Sequence, residues 1–270
     1  MNSKTDLEAL KARQQKTWSS GDYARIAWLT VPLADDLCDA ADLSAGSAVL
    51  DVATGTGHVA LAAARRFCEV TGIDYVPALL DRARRRADAE DLAVGFREAD
   101  AEELPFPDAS FDYVLSAIGV MFTADHPRAA GELLRVCRPG GRVATASWTP
   151  TGFVGQMLKV VSRYAPPPQG ALPPTRWGTE ETMRELLGDG AAELRFVNAS
   201  VTQRFLSPEH FADFFIDHYG PTLKAAERLN DEERRAFRHD LVDLAGKSNR
   251  AADGTLVHDW DYLITVATRA

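Results

Sequence analysis

Residues 49–60 read Val-Leu-Asp-Val-Ala-Thr-Gly-Thr-Gly-His-Val-Ala. An apolar run ends in a small, glycine-bearing turn, and an alanine-rich helix follows at once. A turn with so little side chain lets a ligand approach the backbone closely. It marks a nucleotide-type site at the carboxyl end of a parallel strand.

Working outward, strand and helix patterns alternate. Strands are expected over 48–52, 70–73, 94–98, 111–117 and 143–148, and helices over 59–67, 77–89 and 127–138. Pro77 suits the first turn of its helix. Arg135 and Arg138 suit the last turn of theirs, which Pro139-Gly140-Gly141 would then stop. Short apolar strands alternating with helices imply a parallel sheet covered by helices on both faces, an α/β fold. Before this core the chain predicts a helix over 6–15 and another over 23–41, interrupted at Pro32. Between them, residues 17–23 form a small-residue loop that holds Trp18 and Tyr23. After Trp148 the rhythm changes. A helix over 153–164 leads to a proline-rich connector over 165–174, a short helix over 180–187 and a strand over 193–205. Residues 208–246 read as mostly helical with a break at Pro221, and 256–268 as a final strand. The helical block between the last two strands reads as an insertion and a candidate substrate lid.

Composition narrows the function. The chain has 270 residues, 46% of them hydrophobic, with a net charge of −9. That sign argues against a nucleic-acid backbone as partner. Arg82, Arg84, Arg85 and Arg86 are interleaved with acids and read as a solvated helix face with internal ion pairs. No apolar run approaches the roughly 20 residues that span a bilayer. The polar start, residues 1–16, has no hydrophobic signal region, so a cytoplasmic protein is expected. Cys38, Cys68 and Cys137 lie far apart in apolar contexts and predict inert buried thiols, with no metal site.

Gly55-Thr56-Gly57-His58-Val59-Ala60 satisfies the dinucleotide pattern G-x-G-x-x-A, and Asp74 stands near the acidic position expected about 20 residues on. Those two features alone fit a nicotinamide or flavin enzyme. Three others point elsewhere. Asp51 sits within the strand before the turn. Asp100 follows the third strand in Glu98-Ala-Asp-Ala-Glu102. The stretches Leu104-Pro-Phe-Pro-Asp-Ala-Ser-Phe-Asp-Tyr-Val-Leu115 and Leu134-Arg-Val-Cys-Arg-Pro-Gly-Gly141 add a specific order.

Together these residues resemble the class I S-adenosylmethionine-dependent methyltransferases, in particular the small-molecule group of the ubiquinone and menaquinone methylases. The resemblance covers about residues 45 to 150. One position departs from it: Ala53 stands where the family's turn has its first glycine.

The resemblance implies a Rossmann-like, doubly wound, mostly parallel seven-stranded sheet. Its parts would be a helical N-terminal segment closing over the cofactor (1–44), a cofactor-binding core (45–150), and the remainder of the sheet with a helical lid at about 207–252 (151–270). It implies S-adenosylmethionine as cofactor and S-adenosylhomocysteine as product. Asp74, flanked by Tyr75 and Leu79, would meet the ribose. Asp100, the Ala101 amide and neighbouring Glu102 would meet the adenine. The methionine tail would lie over Ala53, Thr54, Gly55 and Gly57, with Asp51 holding the turn or the amino group. The stretch from Ser116 to Met121 would flank the methionine part and open toward the substrate, and Trp18 and Tyr23 would cover the cofactor. Methyl transfer to a carbon or oxygen of a small, fairly apolar acceptor (quinone, polyketide, phenolic or lipid-like) follows from the same likeness, as in natural-product biosynthesis. An alternative is a relative that binds the cofactor but performs cyclisation, decarboxylation or hydroxylation.

Methyl transfer from a sulfonium needs alignment more than a fixed catalytic constellation, and the sequence displays none. His210, His218 and Tyr219, on an aromatic-rich helix, are the candidate bases. His58, His126, His239 and His258 read as structural. The residues leave open whether the protein is a monomer or a homodimer.

Overall fold

The computed structural model describes residues 4–168 and 171–270. Residues 1–3, at the head of the polar N-terminal stretch, and Gln169 and Gly170, within the proline-rich connector, lie outside the described residues. The chain opens with α1 (Lys4–Trp18), α2 (Tyr23–Ala27) and α3 (Val31–Ala41). The helix expected over 23–41 breaks at a 3-10 turn, Trp28–Thr30, and not at Pro32. Pro32 instead sits in the first turn of α3, where its missing N–H leaves no hydrogen bond unmade.

The alternating core follows: β1 (Ala48–Val52), α4 (His58–Ala64), β2 (Glu69–Asp74), α5 (Pro77–Ala89), β3 (Val94–Glu98), β4 (Phe111–Ala117), α6 (His126–Val136) and β5 (Cys137–Trp148). Then come α7 (Phe153–Tyr164), α8 (Glu180–Leu187), β6 (Ala191–Phe205), α9 (Pro208–His218), α10 (Gly220–Ala226), α11 (Asp231–Lys247) and β7 (Leu256–Arg269). The seven strands form one sheet in the order β3-β2-β1-β4-β5-β7-β6. The first five are parallel, and β7 runs antiparallel to both neighbours. This is the doubly wound fold expected. Val49, Leu50 and Val52 are fully buried because helices cover both faces of β1. Strand order reverses beside β1, so loops at its carboxyl end diverge and leave a crevice there.

One boundary differs from expectation. The helix expected over 127–138 ends at Val136, and β5 begins at Cys137. Pro139-Gly140-Gly141 therefore does not stop a helix. It bulges β5, whose register with β4 jumps between Phe111↔Cys137 and Tyr113↔Arg142. Gly140 takes φ +75°, which suits a bulge. Arg138 lies in this strand and pairs with Asp112 at 2.5 Å, away from any helix end.

The three cysteines are buried free thiols. Among the described residues no helix is long and apolar enough to cross a membrane, and no cluster of metal-ligating side chains occurs. The arginine cluster on α5 only partly pairs within its helix. Arg84 meets Asp81, but Arg82 reaches Asp22 at 2.7 Å and Arg86 donates to the Thr56 carbonyl at 2.6 Å. Two of the cluster therefore brace loops at the crevice.

Candidate active site

The turn after β1 is held by its own amides. Thr54 N donates to Ile73 O on β2, and Gly57 N to Thr54 O, each at 2.8 Å. Gly57 has φ +85°, and a Cβ there would stand 3.1 Å from Ala83 Cβ on α5. The glycine thus serves both the turn and the close seating of α4 against α5. Ala53 is also left-handed, at φ +56°. An L-residue in that region costs roughly 1–2 kcal/mol. The Ala53 methyl is accommodated across the crevice, where a Cβ on Gly119 would come within 2.7 Å of it. Alanine at 53 therefore requires glycine at 119.

Four acids line the crevice. Asp51 is 1% exposed. Its Oδ2 accepts from Thr54 Oγ1 at 2.5 Å and from Ala60 N at 3.0 Å. Among the described residues Oδ1 has no donor. Burial pushes its pKa up to about 7, against the pull of those two bonds. Asp74, at the end of β2, accepts from Gly55 N and Val76 N, each at 2.9 Å. Burial raises its pKa to about 6. Asp100 Oδ1 accepts from Glu102 N at 2.8 Å. Glu102 is buried, and its Oε1 accepts from Ala124 N and Asp125 N at 2.7 and 3.0 Å, fixing the loop after β4.

These acids open on one cleft with about 1030 Å³ of unfilled space, part of it continuous with solvent. Of the residues expected at a cofactor site, twelve line it: Trp18, Tyr23, Asp51, Ala53, Thr54, Gly55, Asp74, Tyr75, Leu79, Asp100, Ala101 and Glu102. Trp18 forms the roof, packed edge-on against Tyr23 at 5.6 Å, Phe122 at 4.8 Å and Tyr219 at 6.0 Å between ring centroids. Tyr23 lies over the turn, its ring 3.8 Å from where a Gly55 Cβ would be.

Three expected residues stand behind the wall. Gly57 faces α5. Ser116 Oγ donates to Val52 O at 2.7 Å and accepts from Val120 N at 3.1 Å, so its hydroxyl ties β4 to β1. Met121 is fully buried in the core. The window after β4 is formed by Ala117, Ile118 and Gly119, from within the expected stretch, and by Phe122 and Thr123 just beyond it. Ile118 has φ +52°, a strained setting for a β-branched side chain. Sequence reading also missed Lys11, Gln14, Ala27, Thr30, Ala34 and His58. The left-handed position after β4 leaves no local signature, but Gly119 beside it is one.

His210, His218 and Tyr219 do not line the cleft. His210 is exposed, and Tyr219 is buried behind Trp18. The insertion that carries them, α9–α11, packs on the N-terminal segment and supplies no cleft wall among the described residues. A Cβ on Gly21 would come 2.5 Å from the His218 carbonyl oxygen, and one on Gly220 would collide with that of Thr17. His58, on the cleft wall, is held to a pKa of about 3 by burial and by Arg86 and Arg65. His126 and His258 are each lowered to about 4, chiefly by burial. The arrangement can bind a compact polar ligand along its acids and exclude water under its aromatic roof. It offers no histidine poised to move a proton near neutral pH.

Comparison with known proteins agrees with this geometry. Residues 50–145 match a methyltransferase domain family model. An uncharacterized protein of Mycobacterium tuberculosis is 40% identical over 267 residues, covering 97% of this chain and 96% of its own. A demethylmenaquinone methyltransferase of Deinococcus radiodurans is 42% identical over 128 residues, covering 46% of this chain and 53% of its own. The YcgJ protein of Bacillus subtilis shares the fold, with a TM-score of 0.59 at 20% identity, over 89% of this chain and 98% of that one.

Proposed function

Because this chain belongs to the class I S-adenosylmethionine-dependent methyltransferases, we propose that it methylates a carbon or oxygen of a small, fairly apolar acceptor, a quinol-like ring first among them. S-adenosylmethionine is the cofactor, and it supplies an activated methyl on a positive sulfur. The residues present fit it. Asp51 lines the cleft, and its Oδ1 has no donor among the described residues, which suits it to the ammonium of the methionine tail. Asp74 is read as the ribose acceptor and Asp100 as the adenine acceptor, both lining the same cleft. The left-handed turn at Ala53 and Gly55 presents backbone to the tail.

The observation that carries this reading is convergence. Acids from the ends of β1, β2 and β3 reach one cleft beneath Trp18 and Tyr23. The N-terminal segment covers that cleft and excludes water, and the insertion holds the segment in place. Ile118 and Phe122, beyond β4, face the acceptor. Alignment and dryness meet the demands of an in-line displacement, so no base of this chain is required when the acceptor ionises by itself. A quinol-like acceptor is supported by the menaquinone-methylating relative, whose match lies in the shared half.

The test incubates the protein with S-adenosylmethionine and a panel of a menaquinol-type hydroquinone, a catechol and a 1,3-diketone. Methylated product and S-adenosylhomocysteine should form in equal amounts with the hydroquinone. Cofactor binding without S-adenosylhomocysteine from any of the three would contradict the proposed acceptor class.

A further inference from the structure

Lys11 is the one side chain of α1 that touches the cleft acids among the described residues. Its Nζ lies 2.6 Å from Asp100 Oδ2 and 2.7 Å from Glu102 Oε2. Burial pulls the ammonium's pKa down, but hydrogen bonds to the two carboxylates outweigh it and raise it overall. The two partners differ. Glu102 is 3% exposed and already fastened to the amides of Ala124 and Asp125. Asp100 is 40% exposed, and its Oδ1 is taken by Glu102 N. Lys11 therefore occupies the other Asp100 oxygen, Oδ2, of a carboxylate that lines the cleft.

We propose that Lys11 is a built-in competitor of the cofactor's adenine: its ammonium holds the Asp100 oxygen that the adenine amine takes, and binding displaces it onto Glu102 alone. This rests on reading Asp100 as the adenine acceptor. The exchange is local. A lysine stem is long and flexible, so Nζ can leave Asp100 without moving the helix. α1 keeps its other fastenings. Gln15 donates to Tyr75 O at 2.6 Å, Gln14 donates to Phe122 O at 2.9 Å, and Trp18 stays wedged among Tyr23, Phe122 and Tyr219. In the empty enzyme Lys11 neutralises two neighbouring carboxylates. Once adenine arrives, its amine donates to Asp100 and Glu102 retains the ammonium. The cofactor must break one charge contact to bind, and that lowers its affinity.

The test measures S-adenosylhomocysteine binding by calorimetry and stopped-flow tryptophan fluorescence on the full chain. Lys11→Met should bind about fivefold more tightly, the scale of one partly exposed ion pair, and associate faster. Lys11→Gln, which keeps a donor without the charge, should fall between and serves if Lys11→Met melts early. Gln15→Ala loosens α1 without touching Asp100 and should not tighten binding. Equal binding by both Lys11 variants would overturn the inference, and weaker binding would overturn it and make Lys11 a cofactor ligand. Tightening by Gln15→Ala to the same extent would overturn it too, with the whole helix as competitor. Asp100→Asn separates the underlying reading. It should weaken binding in both the native and Lys11→Met backgrounds, and no effect in either would show that Asp100 is not the adenine acceptor.

Discussion

Asp51 and Asp74 are nearly buried carboxylates on the cleft wall, and that sets how the protein responds to pH. Burial raises the pKa of Asp51 from 3.8 in the unfolded chain to about 7 and of Asp74 to about 6. The folded, empty protein therefore binds more protons than the unfolded chain between those limits. Its stability should fall as pH rises from about 4 through 7, as each acid is forced to ionise in its nearly buried setting. Thermal melts from pH 5 to pH 8 should show this slope, and Asp51→Asn should flatten its upper part. A cationic cofactor reverses the preference, because it favours ionised acids. Its binding should tighten across the same range and release protons, visible as calorimetric heats that depend on the buffer's ionisation enthalpy. At Ala53 the prediction is steric. Ala53→Gly removes a left-handed penalty but loosens the unfolded chain, leaving stability within about 1 kcal/mol of the native protein. Gly119→Ala instead drives a methyl into Ala53 and should cost roughly 1–3 kcal/mol while weakening cofactor binding. A tolerated Gly119→Ala would show that the two positions are not coupled.

At the scale of elements, the insertion packs on the N-terminal strap that carries the cleft's aromatic roof. α1 and α2 supply Trp18 and Tyr23, and α9 and α10 grip the loop between them through Gly21, Tyr219 and Gly220. Gly220→Ala should push this grip apart. Hydrogen exchange would then quicken across residues 8–23 while the amides of β1 and β4 stay protected. Uniform loss of protection across the sheet would show that the insertion supports the whole fold and not the cover. These elements also mark where sequence reading succeeded. β1, α5, β3, β4, α7 and α8 begin and end where their patterns place them, because period and caps are local signals. The acids at three strand ends were legible for the same reason. Lys11 was not, since its partner lies 89 residues away and only the packed helix joins them. Ser116 and Met121 were misplaced because the side-chain directions after β4 depend on the turn at Ile118. Pro139-Gly140-Gly141 looked like a helix stop, but the helix had already ended and the three residues bulge a strand.

For the whole molecule, the sheet gives a rigid frame and its carboxyl edge gives the chemistry. Residues 50–145, which match the methyltransferase model, bring the turn and all four cleft acids. The parts outside it, α1–α3 and α7–α11, carry the cover and its support. Acceptor choice is expected to reside there and in the window at Ile118 and Phe122. A net charge of −9 with acids in the cleft favours a cationic small molecule over a polyanion. The most direct measurement is titration of the full chain with S-adenosylmethionine by calorimetry, beside Asp74→Ala. One equivalent should bind, with affinity lowered at least about tenfold in the variant, the effect of a lost hydrogen bond to a charged group. No binding heat, or equal affinity for Asp74→Ala, would contradict the assignment of this cleft as the cofactor site.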